Sequence, residues 1–446
     1  MPPSSIAIIG AGVIGGRIAR LVCGGLALAA LSAGVAGAQS PPPPRPWLRD
    51  AMPAEMKSDL EQTPAFLRDS KLGLNLRNYY FDQKQSNGTY REAWAQGGAL
   101  SYQSGWLADV FQIGSVFYNS SPLWKGDNAG ATKLLTHDAD AINVIGEAWG
   151  KLRWEGQTLT GYRQRLDYGY VNSQDNRMVP NTFEAGLLSG GYEWMTYAAG
   201  YLWGMKPRER TNFVPLSQVA GAGDTDKGGW LGDIRIQPWQ PLWVDLSGIY
   251  VDDLFATTFL NSEYVHRVDK DLLFGFGLQY TDQRSLGSDL IGDFATWNFG
   301  ARVRGLWHGV GLELAYSQTG DDFSIQTPFG SFPGYLSLIN KDFDVAGQKA
   351  WGIKVTNDFS NVGLPGLTGF FWYADGTDAI NPATGRGVAN FSEYDFDLTY
   401  APTREQFGGK LYGLSVKARA AFVAQEGISS LQPDYRVIVN YSIPLL

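Results

Sequence analysis

The stretch Trp297-Asn-Phe-Gly-Ala-Arg-Val-Arg304 alternates bulky apolar residues with polar or small ones. Successive side chains of a β-strand point to opposite faces, so a period of two places the tryptophan, phenylalanine and valine together and both arginines on the other side. A helix would instead repeat its apolar residues every three or four positions. The stretch therefore predicts a strand with one apolar and one cationic face.

The same alternation recurs from Asp69 to the last residue, in segments separated by clusters of Gly, Asn, Asp and Pro. Counting the segments predicts about 18 strands. Alternation alone also fits a soluble sandwich, whose polar face meets water. The clearest further apolar faces are formed by Leu72, Leu74 and Leu76, by Trp351, Ile353 and Val355, by Leu414, Val416 and Ala418, and by Tyr435, Val437 and Val439.

Two features favour a transmembrane barrel over a sandwich. Short turns alternate with long connections, at 119–141, 166–182, 205–228 and 318–350, as in barrels with short periplasmic turns and longer extracellular loops. Tryptophan and tyrosine also recur near segment ends, where such barrels place interfacial girdles. These aromatic residues are Tyr79, Tyr80, Trp106, Trp124, Trp149, Trp154, Trp194, Trp203, Trp230, Trp243, Trp297, Trp307, Trp351 and Trp372.

The composition points in the same direction. Beyond residue 38 no apolar stretch reaches the ~18 residues of a spanning helix, and an open sheet edge in lipid would leave backbone groups unsatisfied. We therefore predict an all-β fold, a transmembrane antiparallel β-barrel of about 18 strands that occupies residues 69–446. A net charge of −8 and a pI near 5.1 argue against nucleic acid as a partner.

The N-terminal residues predict export. Gly10, Gly12 and Gly15 spell a dinucleotide-binding pattern, but no second strand or acidic residue follows at the required distance. Instead Arg17 and Arg20 precede a short apolar run that ends in small residues, which is typical of a secretory signal at 1–38. Residues 39–68 are proline-rich and polar, and we interpret them as a flexible or peripheral leader.

Several blocks resemble the OprD-type substrate-specific outer-membrane porins. They are Asp69-Ser-Lys-Leu-Gly-Leu-Asn-Leu-Arg-Asn-Tyr-Tyr-Phe81, Asn176-Arg-Met-Val-Pro-Asn-Thr-Phe183, Ala315-Tyr-Ser-Gln-Thr-Gly-Asp-Asp-Phe323, Gly363-Leu-Pro-Gly-Leu367 and Tyr435-Arg-Val-Ile-Val-Asn-Tyr441. The resemblance implies a barrel of the Gram-negative outer membrane whose lumen is narrowed by infolded loops and lined by a ladder of Arg and Lys. It also implies passive uptake of amino acids, aromatic acids and other small carboxylates.

Carried over residue by residue, the resemblance predicts a set of pore-lining positions. A basic ladder would comprise Arg77, Arg153, Arg235, Arg302, Arg304, Lys354, Lys417 and Arg419, and the infolded loops would contribute Arg177, Asn181, Asp321 and Asp322. Guanidinium and ammonium groups replace lost hydration of a carboxylate by charge-assisted hydrogen bonds. Each inward arginine has an alternative role, since it could simply pair with an inward carboxylate of the wall.

Other functions remain open at this stage. His137-Asp138 is the one suggestive dyad for a barrel hydrolase, but no serine partner is identifiable, so we predict no enzymatic activity. A non-conducting structural barrel is the second alternative. We expect no cofactor and no metal, a monomer or weak oligomer, and outer-membrane lipid and the assembly machinery as partners.

Overall fold

The computed structural model describes residue 48 and residues 51–446, and its central feature is one closed antiparallel sheet of 18 strands. Each strand pairs with its neighbours in sequence, and the first pairs with the last, which closes the ring. The strands are β1 Lys71–Lys84, β2 Tyr90–Gln103, β3 Phe111–Lys125, β4 Ile142–Trp154, β5 Gln157–Gln164, β6 Thr182–Tyr192, β7 Met195–Lys206, β8 Gly229–Trp239, β9 Leu242–Val251, β10 Phe255–Arg267, β11 Leu272–Ser285, β12 Ala295–Trp307, β13 Val310–Thr319, β14 Lys349–Asp358, β15 Leu367–Thr377, β16 Phe391–Tyr400, β17 Leu414–Gln425 and β18 Gln432–Pro444.

The faces follow the alternation of the sequence. In β12 the exposed Val303 points outward, whereas Asn298 of the same strand points to the other face and is buried inside the barrel. Every second residue of β11 is buried over most of its length, because its inward side chains are covered by loops and its outward ones meet the surroundings. The prediction of an antiparallel barrel with about 18 strands is confirmed.

The two ends of the barrel differ in their connections. One end carries turns as short as residues 155–156 and 308–309, whereas the other carries four long loops. We call these L2 (126–141), L3 (165–181), L4 (207–228) and L7 (320–348). Long loops face the outside of the cell in barrels of this kind, so the long-loop end is the extracellular one.

The long loops fold into the lumen. Leu134, Leu135 and Val179 of L2 and L3 are fully buried against Tyr79 and Phe81 of the inner wall. A second core joins Leu336 and Phe343 of L7 to Ala350 and Ala374. Burial of these apolar side chains against the wall removes them from water and fills part of the lumen at the long-loop end.

Short helices and hairpins complete the chain. Helices α1 (Ala54–Gln62) and α2 (Ala65–Arg68) precede β1, and α3 (Leu216–Val219) lies in L4. Single 3-10 turns occur at Ala129–Thr132, Phe359–Val362 and Gln406–Gly409, and two-residue ladders pair Asp167–Tyr168 with Val171–Asn172 and Ile380–Asn381 with Arg386–Gly387. Among the described residues no helix has the length and apolar character needed to cross a membrane.

The N-terminal predictions are only partly within the described residues. The signal at 1–38, with its glycine pattern, lies outside them. The leader predicted at 39–68 as flexible or peripheral contains α1 and α2 in its second half. The Gly105 N–H donates to Phe66 O at 2.9 Å, which attaches α2 to the turn between β2 and β3 at the short-turn end.

The aromatic prediction was partly wrong. Trp230, Trp307 and Trp351 are exposed on the outer surface, as a girdle requires. Tyr79, Trp149, Trp243 and Trp372 instead face the interior, where Tyr79 is 1% exposed and Trp372 lines the lumen. Trp149 points inward because a register shift after Val116 of β3 exchanges the two faces of β4.

A substitution of Gly98 in β2 tests the register of the hairpin formed by β1 and β2. In a Gly98→Ala variant the new Cβ would lie 1.9 Å from the Asn75 carbonyl oxygen, at a φ of +146°. We expect this overpacking to lower the free energy of unfolding by about 1–3 kcal/mol, measured by urea titration of Trp fluorescence in micelles. Gly161→Ala is the control, because nothing lies within 4 Å of its Cβ position. Equal stability of the two variants would contradict the described pairing of β1 with β2.

Candidate functional site

A space of about 670 Å³ lies in the lumen between L7 and the inner wall. Four basic side chains line it, those of Arg302, Arg304, Lys354 and Lys417, and two acidic ones, Glu313 and Asp397. L7 contributes its segment Pro333 to Tyr335. Because these basic residues come from β12, β14 and β17, the closed sheet brings together charges that are remote in sequence.

Arg302 and Arg304 share one carboxylate. Arg302 Nη2 donates to Glu263 Oε2 at 2.7 Å, and Arg304 Nη2 lies 2.6 Å from Glu263 Oε1. Glu263 is 0% exposed, so both guanidinium groups cover it from the lumen. The shared partner relieves the repulsion between two arginines that stand two residues apart on one strand.

Two glycines make this shared pairing possible. β11 lies between Glu263 on β10 and the arginines on β12, and its inward residues there are Gly275 and Gly277. A Cβ at Gly275 would lie 2.7 Å from Arg304 Nε, and one at Gly277 would lie 3.1 Å from Arg302 Cγ. The guanidinium stems therefore occupy space that any larger residue on β11 would take.

Lys354 differs from its basic neighbours. Within the described part of the chain, its ammonium group forms no hydrogen bond and no ion pair within 4.0 Å. Its Nζ lies 4.1 Å from the centroid of the Trp372 ring and 4.7 Å from that of Phe370, both of which face the lumen. The rings hold the ammonium by cation–π attraction without neutralising its charge.

Lys417 and Arg419 face one acidic residue of β16. Arg419 Nε donates to Asp397, and Lys417 Nζ lies 3.9 Å from the same carboxylate. Two cations thus stand against one anion. The arrangement leaves excess positive charge along this side of the lumen.

Arg77 and Arg177 lie where L3 meets the wall. Arg77 donates to Asn440 Oδ1 at 2.8 Å and forms an ion pair with Asp175 of L3 at 2.8 Å. The Arg177 guanidinium lies 5.1 Å from the centroid of the Phe81 ring and donates to the Thr132 carbonyl at 2.9 Å. Burial, reinforced by the neighbouring Arg436 guanidinium, lowers the pKa of Arg177 to about 9.

The remaining predicted positions lie apart from this lumen space. Arg235 forms an ion pair with Asp245 at 2.6 Å and borders a second, smaller space of about 210 Å³. Arg153 stacks on Trp106 at the short-turn rim and forms an ion pair with Asp109. Asn181 is buried within L3, where its N–H donates to Ser173 O. Asp321 and Asp322 are both exposed, at the start of L7. The described structure therefore brings together five predicted basic positions, Arg302, Arg304, Lys354, Lys417 and Arg419.

The acidic partners were missed by the sequence reasoning. Glu263 and Glu313 carry no local signal that relates them to the arginines. Asp397 could have been found, because Ser392-Glu-Tyr-Asp-Phe-Asp-Leu-Thr-Tyr400 alternates three carboxylates with apolar residues on a single strand. That pattern places Glu393, Asp395 and Asp397 inside the barrel.

No group of three or more His, Cys, Asp or Glu residues that could hold a metal ion occurs among the described residues. His137 and Asp138 are exposed in L2. The closed barrel encloses a lumen lined by charged side chains, and this fold defines a pore-forming barrel of the porin class.

The chain belongs to the OprD family of outer membrane porins, whose family description matches residues 64–445. Members of this family are channels rather than enzymes, and they reside in the Gram-negative outer membrane. The predictions of the family, of the compartment and of the absence of enzymatic activity are confirmed.

Curated and solved relatives support this assignment along most of the chain. Porin D of Pseudomonas aeruginosa is 25% identical over 425 residues, which cover 87% of this chain and 94% of that protein. The porin-like protein GalP of Pseudomonas putida is 23% identical and covers 85% and 93%, respectively. The crystal structure of OccK9 (OpdG) of P. aeruginosa has a TM-score of 0.77 at 22% identity, over 86% of this chain and 100% of that chain, which shows the same fold.

The pairing of Glu263 with both Arg302 and Arg304 predicts how their substitution changes the stability of the barrel. An Arg302→Ala, Arg304→Ala double variant would remove both cationic partners of Glu263 and open it to the lumen, so the cost is at most that of a fully buried unpaired charge, about 3–5 kcal/mol. We expect a lower urea midpoint for the folded barrel. Adding Glu263→Gln should restore most of the loss, because it removes the buried charge. A double variant as stable as the unmodified protein would contradict the pairing.

Proposed function

We propose that this porin admits small carboxylate-bearing nutrients by passive, selective diffusion, and that the basic residues around the central lumen space recognise the carboxylate. The observation that carries the proposal is Lys354, whose ammonium group faces the lumen with no carboxylate partner in the described chain. Arg302, Arg304, Lys417 and Arg419 surround it from β12 and β17 and share only a few acidic partners.

The distribution of charge supports anions over cations. A carboxylate in the lumen loses part of its hydration, and guanidinium and ammonium groups replace it by charge-assisted hydrogen bonds. Arg302 and Arg304 are held in place by their ion pairs with Glu263 and add positive potential to the lumen. The ammonium group of Lys354 has no hydrogen-bond partner among the described residues, so its donors can bind a ligand. Several moderate sites let an anion move onward without being trapped.

The size and lining of the space support a small solute. About 670 Å³ falls in the range that single small molecules occupy in proteins. Phe370, Trp372 and Tyr335 provide apolar surface beside the cations. The space therefore suits a molecule with one charged and one apolar or hydroxylated part.

Two solved relatives fit the same class of substrate. P. aeruginosa OpdK has been solved with vanillate and OpdF in complex with glucuronate, and both ligands are carboxylates. At 22% identity these relatives show the fold, and the choice between aromatic acids, sugar acids and amino acids depends on residues of this chain.

The decisive experiment removes the free ammonium group. A single charge 4 Å from a carboxylate contributes about 1 kcal/mol even at the dielectric constant of water, so Lys354→Gln should lower carboxylate flux about fivefold at low concentration. Flux is measured as uptake into liposomes of benzoate, an aliphatic acid and an amino acid, together with the reversal potential in a KCl gradient. Lys354→Arg should retain both properties.

The matched control is Lys270→Gln, which removes the same charge from an 89% exposed side chain in a turn at the short-turn end. We expect no change there, because salt screens an exposed charge beyond about 10 Å. Unchanged flux and selectivity in Lys354→Gln would overturn the proposed role of the basic residues. Heat-modifiable migration on a gel verifies that each variant has folded.

A further inference from the structure

The tip of L7 is bound to two wall carboxylates. Glu393 Oε1 accepts a hydrogen bond from the Asn340 backbone N–H at 2.8 Å, and Glu393 Oε2 accepts one from Lys341 N–H at 2.8 Å. Asp395 Oδ2 accepts one from Ile339 N–H at 3.0 Å. Three consecutive backbone donors of one loop thus end on two carboxylates of β16, and hydrogen bonds to charged acceptors are the stronger kind.

Side chains of two further strands hold the same tip. Asn340 Oδ1 accepts from Gln83 Nε2 of β1 at 2.9 Å and from Arg436 Nη2 of β18 at 2.9 Å. Arg436 is itself fixed by Asp434, to which it donates at 2.7 Å. Residues 339–341 are therefore enclosed by β16, β18 and β1.

The first half of L7 is attached to a different part of the wall. Gln279 Nε2 of β11 donates to the Pro333 carbonyl at 3.1 Å, and Tyr335 donates its hydroxyl to Asn261 of β10 at 3.2 Å. L7 thus runs across the lumen from β10 and β11 to β16 and β18. Pro333 and Tyr335, which border the central lumen space, form the first of these two attachments.

We propose that Glu393 and Asp395 are positioning residues that latch L7 across the lumen and thereby set the largest solute that the pore admits. The latch acts through loop position, so it goes beyond the carboxylate preference proposed above and does not depend on it. Release of the tip would leave this part of L7 attached only at β10 and β11, so the segment from residue 336 onward would no longer be held across the lumen. The path would then widen for solutes of any charge.

A purely structural role in the wall does not account for these two residues. Both are 0% exposed, and neither forms an ion pair within 4.0 Å in the region that the structure describes. They stand two residues apart on one face of β16, where like charges repel. Burying such charges costs free energy unless hydrogen bonds compensate, and the donors that compensate here come from L7.

Glu393→Gln tests the latch with little change in shape. A carboxylate accepts on both oxygens, whereas the amide has one oxygen and would turn its NH₂ group towards a backbone N–H of the loop. The backbone N–H that loses its acceptor would be left buried and unsatisfied, which favours the undocked tip about tenfold. We expect larger, noisier single-channel currents and a larger size cut-off for neutral sugars in liposome swelling.

The matched control is Glu313→Gln, which removes a lumen carboxylate that faces Arg302 at 3.5 Å and does not contact the tip of L7. It should alter ion selectivity and leave the sugar cut-off unchanged. Because the sugars are neutral, a failure of the latch is distinguishable from a failure of carboxylate recognition. Asp395→Asn, which weakens the bond to Ile339 and leaves both bonds of Glu393 to the tip in place, provides the test if Glu393→Gln does not assemble.

A crosslink that restores the position of L7 distinguishes an effect of loop position from general damage to the barrel. In a Gln83→Cys, Asn340→Cys protein that also carries Glu393→Gln, a short bifunctional thiol reagent would tie the tip back to β1. We expect the crosslink to return the sugar cut-off to that of the unmodified protein. A cut-off that stays normal in folded Glu393→Gln and Asp395→Asn, or that stays enlarged after crosslinking, would overturn the proposal.

Discussion

The bilayer offers no water to the backbone, and this constraint underlies the whole structure. Each N–H and C=O of a spanning strand must find its partner in a neighbouring strand, so the sheet has to close through the pairing of β1 with β18. Closure gives every strand one face towards lipid and one towards an enclosed lumen. The inner face can then hold polar and charged residues, and the long loops fold inside to cover it.

In the enclosed lumen, the role of a charged side chain depends on whether the wall already provides it with a partner. Cations there either meet wall carboxylates, as Arg302 and Arg304 meet Glu263, or remain available to solutes, as Lys354 does. Carboxylates divide similarly. Asp397 forms ion pairs with Lys417 and Arg419, whereas Glu393 and Asp395 accept hydrogen bonds from the backbone of L7. The field that a solute experiences therefore depends on which charges are already paired, and the overall net charge of −8 says little about it.

Much of the fold was predictable because its determinants are local. The period of two in 297–304 and 351–356 places Arg302, Arg304 and Lys354 inside the barrel, where the structure has them. The girdle assignment failed for Trp149, because β4 has one extra residue, Gly146, opposite the Val116–Phe117 step of β3, and this bulge reverses the faces of the rest of β4. Trp243 and Trp372 also face inward, since proximity to a strand end does not determine the side to which a ring points.

The sequence by itself determined the strands, their two faces and the membership in a porin family, since side-chain direction along a strand repeats every two residues. Only the tertiary structure decided which inward charges meet. Glu263 reaches Arg302 from 39 residues away across two glycines of β11, and Glu393 binds a loop tip that crosses the lumen. Lys354 has no ion-pair partner within 4.0 Å among the described residues, although Glu313 is directly opposite it in register. Such pairings depend on ring closure and on the path of the loops, both of which are long-range properties of the chain.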